Sequence, residues 1–423
     1  MSEVKKVYFK TFGCRTNLFD TQVMKSSLRQ FECVEDEESA DVVVVNSCTV
    51  TNGADRGVRS YLHKMQKSNK KVYLTGCGVG TRGEEIFTKN LAHSVFAHSF
   101  KESIDDMLQK KQRFFYPESN NKHIDSTLIA QFANKSRAFL KIQEGCNFAC
   151  SYCIIPSVRG VARSYPKDKI LSQIRTLSES GISEVVLTGT NVGSYGIDLD
   201  NYNLAKLIND INTLGLLKRL RVGSLEPSQI DNELKEALEV PLMERHLHIA
   251  LQHTSDSMLK IMNRLNRVES DLALFEDFAK KGFCLGSDFI IAHPGESESI
   301  WQEALEHFKR FPLTHLHPFI YSPREGTPSS TMKYHISGNV AKERLHTLKA
   351  IITQNNESFR KAHYVPLNVL CESKVASQNG FVYSGLDQFF NRMHFESQRG
   401  DLEGQWICFE TYQISKEGNN ANI

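Results

Sequence analysis

The sequence predicts an α/β protein with three folded parts: an N-terminal doubly wound parallel sheet, a central partial (βα)6 barrel of the TIM type, and a small C-terminal all-β barrel. Three observations predict this order. Apolar strand-like segments alternate with helical ones in residues 1–115, and six more such units fill residues 137–330. Short strands without helices then occupy residues 365–415.

Length and composition limit the classes of protein to consider. At 423 residues the chain exceeds one ordinary core, and 40% hydrophobic with 24% charged residues is typical of a globular protein. No apolar run approaches a membrane span and the first residues do not resemble a secretory signal, so we expect a cytoplasmic protein with no membrane partner. Because 51 basic residues accompany 49 acidic ones, binding of nucleic acid through bulk charge is excluded, although a local basic face is not.

The first part contains three strands that each end in a cysteine. The segments are KKVYFKTFGC, ADVVVVNSCTV and KKVYLTGCGVG, with helical periodicity between them. In a doubly wound sheet the site lies at the carboxyl ends of the strands, so we expect Cys14, Cys48 and Cys77 to converge there. Taken singly, each could instead be a small buried side chain.

The remaining boundaries follow from changes in pattern. Polar, irregular residues 116–136 predict a linker. Six strand-like segments then predict a partial barrel with its chemistry at the carboxyl ends of the strands. They are RAFLKIQEGC, GISEVVLTGTN, LKRLRVGSLEP, RHLHIALQHTS, GFCLGSDFIIAHPGE and LTHLHPFIYSPREGT. Residues 338–363 predict one amphipathic linking helix, and the tail SKEGNNANI after the small β-barrel is expected to be disordered.

The loop EGCNFACSYCIIPSVRG after the first barrel strand carries Cys146, Cys150 and Cys153. Ten cysteines in a chain of this kind favour thiolate ligands or buried thiols over disulfides. Three thiolates on one loop would leave one iron of a 4Fe-4S cluster with a free coordination position. Zinc is the alternative, but a catalytic zinc site usually recruits histidine or a carboxylate, which this loop lacks.

The CxxxCxxC spacing, with Tyr152 before the last cysteine, resembles that of radical S-adenosylmethionine (SAM) enzymes. There the free iron binds SAM, and one electron cleaves it to a 5′-deoxyadenosyl radical. The resemblance implies SAM contacts at later strand ends, although each of these residues could simply belong to a turn. The residues are Thr188, Gly189 and Asn191 in LTGTN, Ser224 and Glu226 in GSLEP, and Gln252 in LQH.

Over nearly its whole length the chain resembles the methylthiotransferase family. The matching motifs are TFGCRTN, VNSCTVTNGAD, LTGCGVG, CSYCIIPSVRG, LTGTNVGSYG, SLEP and FIYSPREGTPSS. The resemblance implies that Cys14, Cys48 and Cys77 hold a second 4Fe-4S cluster, from which sulfur is delivered. It also implies two uses of SAM, as methyl donor and as radical source, and a flavodoxin- or ferredoxin-like electron donor.

The motifs SCTVTNGAD and EGCNFACSYCIIPSVRG are most similar to the branch that acts on threonylcarbamoyladenosine in tRNA. This resemblance implies methylthio transfer to C2 of the adenosine at position 37, with the tRNA anticodon arm as partner. Isopentenyladenosine in tRNA and an aspartate of a ribosomal protein are the alternative substrates within the family. An iron-sulfur RNA-binding protein without catalysis is the alternative from another class.

The C-terminal part resembles the TRAM domain, an RNA-binding barrel. From Val365 onward it has 4 basic and 7 acidic residues, so charge alone would not hold phosphates there. RNA contact is expected from Phe389, Phe390 and Phe395 stacking on bases, with packing in the core as the alternative. Basic residues elsewhere are also expected to contribute: Arg159, Arg163, Lys342, Arg344, Arg360 and Lys361.

The other histidines and cysteines are not predicted to act in chemistry. His246, His248 and His253 alternate on or near one strand, which favours core or rim positions over a metal site. His293, in a loop where the family more often has phenylalanine, is expected only to pack. Buried thiols are expected at the cysteines without partners at ligand spacing: Cys33, Cys284, Cys371 and Cys408.

Overall fold

The computed structural model describes residues 4–68, 70–120, 122–127, 129, 136–333, 335–378 and 380–422. It confirms the α/β class and its three folded parts. In the predicted linker, residues 116–136, Tyr116 ends a short strand and the other described residues form neither helix nor strand. Residues 121, 128 and 130–135 lie outside the described residues. Within the described ranges, no helix has both the length and the apolar character that a membrane crossing requires.

The first domain is a parallel sheet covered by helices on both faces. Its strands are β1 (Lys6–Thr11), β2 (Glu32–Cys33), β3 (Val42–Ser47), β4 (Lys71–Gly76), β5 (Ser94–Phe96) and β6 (Phe115–Tyr116), in the order β2-β1-β3-β4-β5-β6. Its helices are α1 (Arg15–Ser27), α2 (Asn52–Met65), α3 (Val79–Thr88) and α4 (Ile104–Gln109). Val43 and Val45 pack against α2 and α3, whereas Val42 and Val44 pack on the face covered by α1 and α4. The alternation of side chains along β3 therefore builds both cores.

The order of the strands reverses between β1 and β3, which is the switch point where doubly wound sheets bind ligands. Cys14 caps the start of α1 directly after β1. Cys48 follows β3 and Cys77 follows β4. The sheet therefore brings these cysteines to one edge, as the sequence predicts.

The central domain is a partial barrel. Its strands are β7 (Ala138–Glu144), β8 (Arg163–Ser164), β9 (Glu184–Gly189), β10 (Arg219–Val222), β11 (His246–His248), β12 (Cys284–Ile291) and β13 (Leu313–Ile320). Its helices are α5 (Ile155–Arg159), α6 (Lys167–Glu179), α7 (Leu204–Leu214), α8 (Asn232–Leu238), α9 (Asp256–Ile261), α10 (Val268–Lys280) and α11 (Glu298–Arg310). The strands β7, β9, β10, β11, β12 and β13 run parallel. Isolated parallel bridges, Leu220 with Met243 and Leu225 with Ile249, connect the segments around β10 and β11. These are the six strands that the sequence predicts, and β8 adds a short antiparallel edge beside β7.

A long helix, α12 (Gly338–Ala362), leads to a curled all-β half-barrel. Its strands are β14 (Leu367–Ser377), β15 (Gly380–Leu386), β16 (Arg392–Ser397), β17 (Trp406–Phe409), β18 (Gln413–Ser415) and β19 (Gly418–Asn422), in the order β17-β14-β15-β16-β19-β18. The predicted disorder of the tail is wrong, because β19 pairs with β16 and β18. Arg360 of α12 also donates to the carbonyl oxygens of Gly418 at 2.8 Å and Ser415 at 2.7 Å.

A buried charge network joins the first domain to the barrel. Lys141 of β7 lies 2.5 Å from Asp20 of α1, 2.9 Å from Asp125 and 3.0 Å from Glu144. Arg159 contacts Asp20 at 2.8 Å and Glu144 at 2.6 Å. Lys101 lies 2.7 Å from Asp125, so Lys141, Arg159 and Lys101 surround Asp20, Asp125 and Glu144. None of these side chains is more than 2% exposed, so each charge depends on the others for compensation.

The variant Lys141→Met tests this dependence. It leaves the surrounding carboxylates buried with too little positive charge, so we expect the free energy of unfolding to fall by about 3–5 kcal/mol. The measurement is urea unfolding followed by circular dichroism. The control is Lys309→Met, which removes an exposed pair with Glu306 and should cost less than about 1 kcal/mol. Equal stabilities of the two variants would contradict a structural role for the network.

Candidate active site

Cys14, Cys48 and Cys77, the first cysteine set, line one cavity of about 500 Å³ between the first domain and the barrel. Cys48 and Cys77 are buried and Cys14 is exposed. Burial, together with the negative charge of the neighbouring Cys77 and Cys14 thiolates, raises the pKa of Cys48 to about 12. Three thiolates could therefore coexist here only with a positive group such as a metal centre beside them.

Close packing of the loops requires glycine beside the first cysteine. Gly13 has a φ of +98°, and a Cβ atom there would lie 2.6 Å from the Cys48 sulfur. The amide of Asn17 ties the same loops together by donating to the carbonyl oxygens of Phe12 at 2.8 Å and Ser47 at 2.9 Å. Gly13 thus allows Cys14 and Cys48 to approach, and Asn17 fixes their backbones.

Arg159 connects the two sets of cysteines. It lies on α5, which follows the loop that carries Cys153, and its Nε atom lies 3.0 Å from the Cys77 sulfur. Its Nη2 atom donates to the Asn17 Oδ1 atom at 2.6 Å. The prediction that Arg159 contacts RNA is wrong, because the side chain is buried and its donors are engaged inside the protein.

The second set of cysteines lies in the loop between β7 and α5. The Asn191 amide nitrogen lies 3.8 Å from the Cys146 sulfur, and an Arg264 guanidinium nitrogen lies 3.9 Å from that of Cys150. Burial raises the pKa of Cys153 to about 12, and the neighbouring Cys150 and Cys146 thiolates add to this effect. The second set, like the first, therefore consists of three cysteines with hydrogen-bond donors close to sulfur.

The surroundings of both sets suit iron-sulfur clusters. In each set, backbone N–H groups two residues further along the chain bond to cysteine sulfur, an interaction that tunes such clusters. The pairs are Val50 with Cys48, Phe148 with Cys146, and Ile155 with Cys153. Three thiolates fit a 4Fe-4S cluster that keeps one coordination position for another molecule.

The predicted SAM contacts lie on the cysteine side of the barrel. Thr188, Gly189 and Ser224 line the cavity of the first cysteine set. Gln252, at a φ of +65°, lines a second cavity of about 350 Å³ together with Tyr152 and Cys153. The structure thus brings these predicted residues to the mouths of the two cavities, and their contact with SAM stays a prediction.

Glu226 and Tyr152 are held by neighbours that the sequence analysis did not identify. A Glu226 oxygen lies 2.6 Å from the Arg264 guanidinium, and both residues line a small recess beside Cys150. The Tyr152 ring meets the edge of the His293 ring, with 6.2 Å between centroids. His293 also lies 2.8 Å from the Ser329 hydroxyl, so it packs in a polar environment.

The two cavities adjoin each other. Val50, Ile155 and Asp288 line both of them. The wall between the cavities therefore has three contributors: the first domain, the segment that follows Cys153, and the barrel strand β12. A molecule bound in one cavity would be in contact with the wall of the other.

A cluster of His248, Asp288 and His317 lines the first cavity and was missed by the sequence analysis. The Asp288 Oδ1 atom lies 3.1 Å from His248 and 3.5 Å from His317. Burial alone would raise the pKa of Asp288, but these two histidines bring it below its ordinary value. The three residues come from different strands, so no local spacing indicates the cluster.

His253 and His246, which the sequence also predicts at core or rim positions, have different surroundings. His253 is buried and packs on Phe289, with 4.9 Å between ring centroids, as expected for a core residue. His246 is also buried, but it lines the first cavity and stacks on Phe390 at 4.8 Å. Phe390 is the only aromatic contribution of the half-barrel to this cavity among the described residues, and it has a φ of +66°.

Most of the predicted RNA contacts are inside the protein. Phe389 and Phe395 pack in the core of the half-barrel. Arg163, Arg344 and Arg360 are buried, so the prediction that they contact RNA is wrong. Their donors bond to internal groups: Arg163 to the carbonyl of His123, Arg344 to Glu296 and Glu298, and Arg360 to the C-terminal strands.

Lys342 and Lys361 remain exposed on α12. These two lysines are the members of the predicted basic set that a phosphate could reach. Among the unassigned cysteines, Cys284 and Cys371 are buried as predicted. The same prediction is wrong for Cys33 and Cys408, which are exposed.

The partial barrel, the open three-cysteine loop and the adjoining doubly wound domain together define a radical SAM protein. Residues 140–308 match the family model described as Radical SAM superfamily. Residues 6–97 match the model described as Uncharacterized protein family UPF0004. In fold, the chain is similar to the radical SAM methyltransferase TsrM of Kitasatospora setae, with a TM-score of 0.60 and 12% identity over 85% of this chain and 96% of that one.

Curated relatives identify the family. A Helicobacter pylori (strain J99) protein named "Putative methylthiotransferase" is 50% identical over 99% of this chain and 100% of its own length. The threonylcarbamoyladenosine tRNA methylthiotransferase MtaB of Bacillus subtilis is 34% identical, over 82% and 80%. A tRNA-2-methylthio-N(6)-dimethylallyladenosine synthase of Fervidobacterium nodosum is 30% identical, over 89% and 90%. The chain belongs to the methylthiotransferase family.

The variant Gly13→Ala tests the close approach of Cys14 and Cys48. Its new Cβ atom would overlap the Cys48 sulfur, so we expect anaerobically reconstituted Gly13→Ala to hold about four fewer iron atoms than wild type, the content of one 4Fe-4S cluster. Iron and sulfide analysis measures the loss. The control is Gly53→Ala, where the added Cβ would meet its nearest neighbour at 3.8 Å. Full iron content in Gly13→Ala would refute the proposed tight packing of the first set.

Proposed function

We propose that this protein transfers a methylthio group to C2 of threonylcarbamoyladenosine at position 37 of tRNA. The observation that carries this proposal is the placement of Cys14, Cys48 and Cys77 in one cavity and of Cys153, from the second set, in the cavity that adjoins it. A methylthiolation needs both a radical source and a sulfur source, and two such sets provide a place for each. The MtaB relatives of Bacillus subtilis and Aquifex aeolicus, at 34% and 32% identity, support the choice of nucleoside.

The cysteines would hold the two clusters in different roles. Cys146, Cys150 and Cys153 would bind the cluster that serves SAM, and Cys14, Cys48 and Cys77 would bind the cluster that serves sulfur transfer. When bound, these clusters and SAM supply the electron, the radical and the methylthio group. A reducing electron donor of the flavodoxin or ferredoxin class would be required. Because the substrate is tRNA, the reaction would take place in the cytoplasm.

The protein's own residues would stabilise and enclose these groups. Arg159 places positive charge 3.0 Å from the Cys77 sulfur and so favours its thiolate form. Asn191 and Arg264 offer donors to sulfur in the other set. Val50, Ile155 and Phe390 supply apolar walls that limit the entry of water to the first cavity.

The alternative substrate within tRNA is dimethylallyladenosine. Relatives named for that nucleoside are 30% identical to this chain, which supports the same reaction on a different adenosine. An aspartate of a ribosomal protein is the alternative outside tRNA. Contact of the C-terminal part with RNA is also part of this proposal. Lys342 and Lys361 of α12 are the exposed cations, and Lys361 lies 2.7 Å from Glu357.

Nucleoside analysis of cells with and without the gene distinguishes these substrates. We expect removal of the gene to abolish the methylthio form of threonylcarbamoyladenosine, while the unmodified form accumulates. Mass spectrometry of digested tRNA measures both. Loss of the methylthio group from the isopentenyl nucleoside, or from a ribosomal-protein aspartate, would instead assign the enzyme to that substrate and reject our proposal.

Cysteine variants separate the two proposed roles in purified, anaerobically reconstituted protein. Cys146→Ala should form no 5′-deoxyadenosine from SAM under a strong reductant. Cys48→Ala should still form 5′-deoxyadenosine but no methylthiolated RNA, because only the sulfur source is lost. Cys408→Ala is the control, since that cysteine is exposed on β17 and belongs to neither cysteine set. A wild-type protein that binds iron but never cleaves SAM would indicate a non-catalytic RNA-binding protein.

A further inference from the structure

Arg15 lines the cavity of the first cysteine set and has no carboxylate at ion-pair distance, although the charges of Glu244 and Asp288 act on it through space. It follows Cys14 and begins α1, so its backbone is fixed at the edge of the sheet. Its guanidinium lies 5.7 Å from the centre of the Phe139 ring, and it makes no hydrogen bond or ion pair with any described residue. A half-buried arginine in a ligand-sized cavity is therefore free to bind an anion.

Neighbouring buried arginines, unlike Arg15, form close ion pairs with carboxylates. Arg159 pairs with Asp20 and Glu144, Arg221 pairs with Glu184 and Glu244, and Arg264 pairs with Glu226. Glu244 and Asp288 act on Arg15 only from a distance, since they already pair with Arg221 and His248. Because buried charges in proteins are normally paired at close range, the open position beside Arg15 points to a group that arrives from outside the chain.

The cavity offers no competing cation for such an anion. Arg159 already uses its guanidinium on Asp20, Glu144 and Asn17. The histidines of the His248, Asp288 and His317 cluster surround a carboxylate of the protein itself. Among the described residues that line this cavity, Arg15 is thus the cation whose donors are free.

We infer that Arg15 binds the carboxylate of the threonylcarbamoyl group and thereby favours this nucleoside over its dimethylallyl counterpart. The inference rests on the proposed function. The threonyl arm ends in a carboxylate, whereas a dimethylallyl arm is apolar. A guanidinium can donate two parallel hydrogen bonds to a carboxylate. A lysine at the same position would act only as a point charge.

The location next to Cys14 is suited to this role. The cavity that contains Arg15 also contains the three cysteines proposed to serve sulfur transfer. An arm held by Arg15 would anchor the substrate in the chamber where the methylthio group is delivered.

The test compares Arg15→Gln with wild type on two RNAs. Both are anticodon stem-loops, one carrying threonylcarbamoyladenosine and the other the same nucleoside with its carboxylate converted to a carboxamide. We expect Arg15→Gln to lower kcat/KM for the carboxylate RNA on the order of 10- to 100-fold, mainly through KM. Its effect on the carboxamide RNA should be small, and Arg15→Lys should be intermediate.

Arg175→Gln is the matched control, because Arg175 is exposed on α6 and outside both cavities. It should match wild type on both RNAs. Iron content and the reduction potential of the clusters are measured for each variant. Should Arg15→Gln fail to fold, the comparison of Arg15→Lys with wild type on the two RNAs carries the same test.

The outcomes separate the inference from the proposed function. If wild type methylthiolates neither RNA, the proposed function fails and the inference with it. If wild type acts equally well on both RNAs, the carboxylate is not recognised and only the inference fails. If Arg15→Gln loses activity equally on both RNAs, with lost iron or an altered potential, Arg15 serves the adjacent cluster and the inference is overturned.

Discussion

The buried charge network between the first domain and the barrel is the constraint on which the site depends. Asp20 lies on the helix that begins after Cys14, and Glu144 ends the strand that leads to Cys146. Arg159 contacts both carboxylates and the Cys77 sulfur. Because these buried charges compensate one another across the junction, they favour one docking of the two domains. That docking places Cys153 in a cavity that adjoins the cavity of Cys14, Cys48 and Cys77.

The fold and the cysteine positions could be predicted from the sequence because they depend on local patterns. Buried strands of a parallel sheet place their carboxyl ends at one edge, so Cys14, Cys48 and Cys77 had to converge once the strands were recognised. The six barrel strands were recognisable for the same reason. The spacing of Cys146 and its two partners is local, and the structure brings its predicted neighbours to the same side of the barrel.

The failures concern residues whose environment is set by distant partners. Arg159 looks like a surface cation in the sequence, but its partner Asp20 is 139 residues away. The tail was expected to be disordered, yet β19 gains its partners from β16 and from Arg360 on α12. His248, Asp288 and His317 meet across three strands. Burial of a charge or of a polar tail is decided by such long-range pairing, which no local pattern contains.

Phe390 gives the half-barrel a share in the wall of the first cavity, where it stacks on His246. All three folded parts therefore contribute to the wall of this cavity, through residues such as Cys14, Ser224 and Phe390. A displacement of the half-barrel would change the shape of the cavity without altering any cysteine, so the geometry of the site is sensitive to contacts far from it in the sequence.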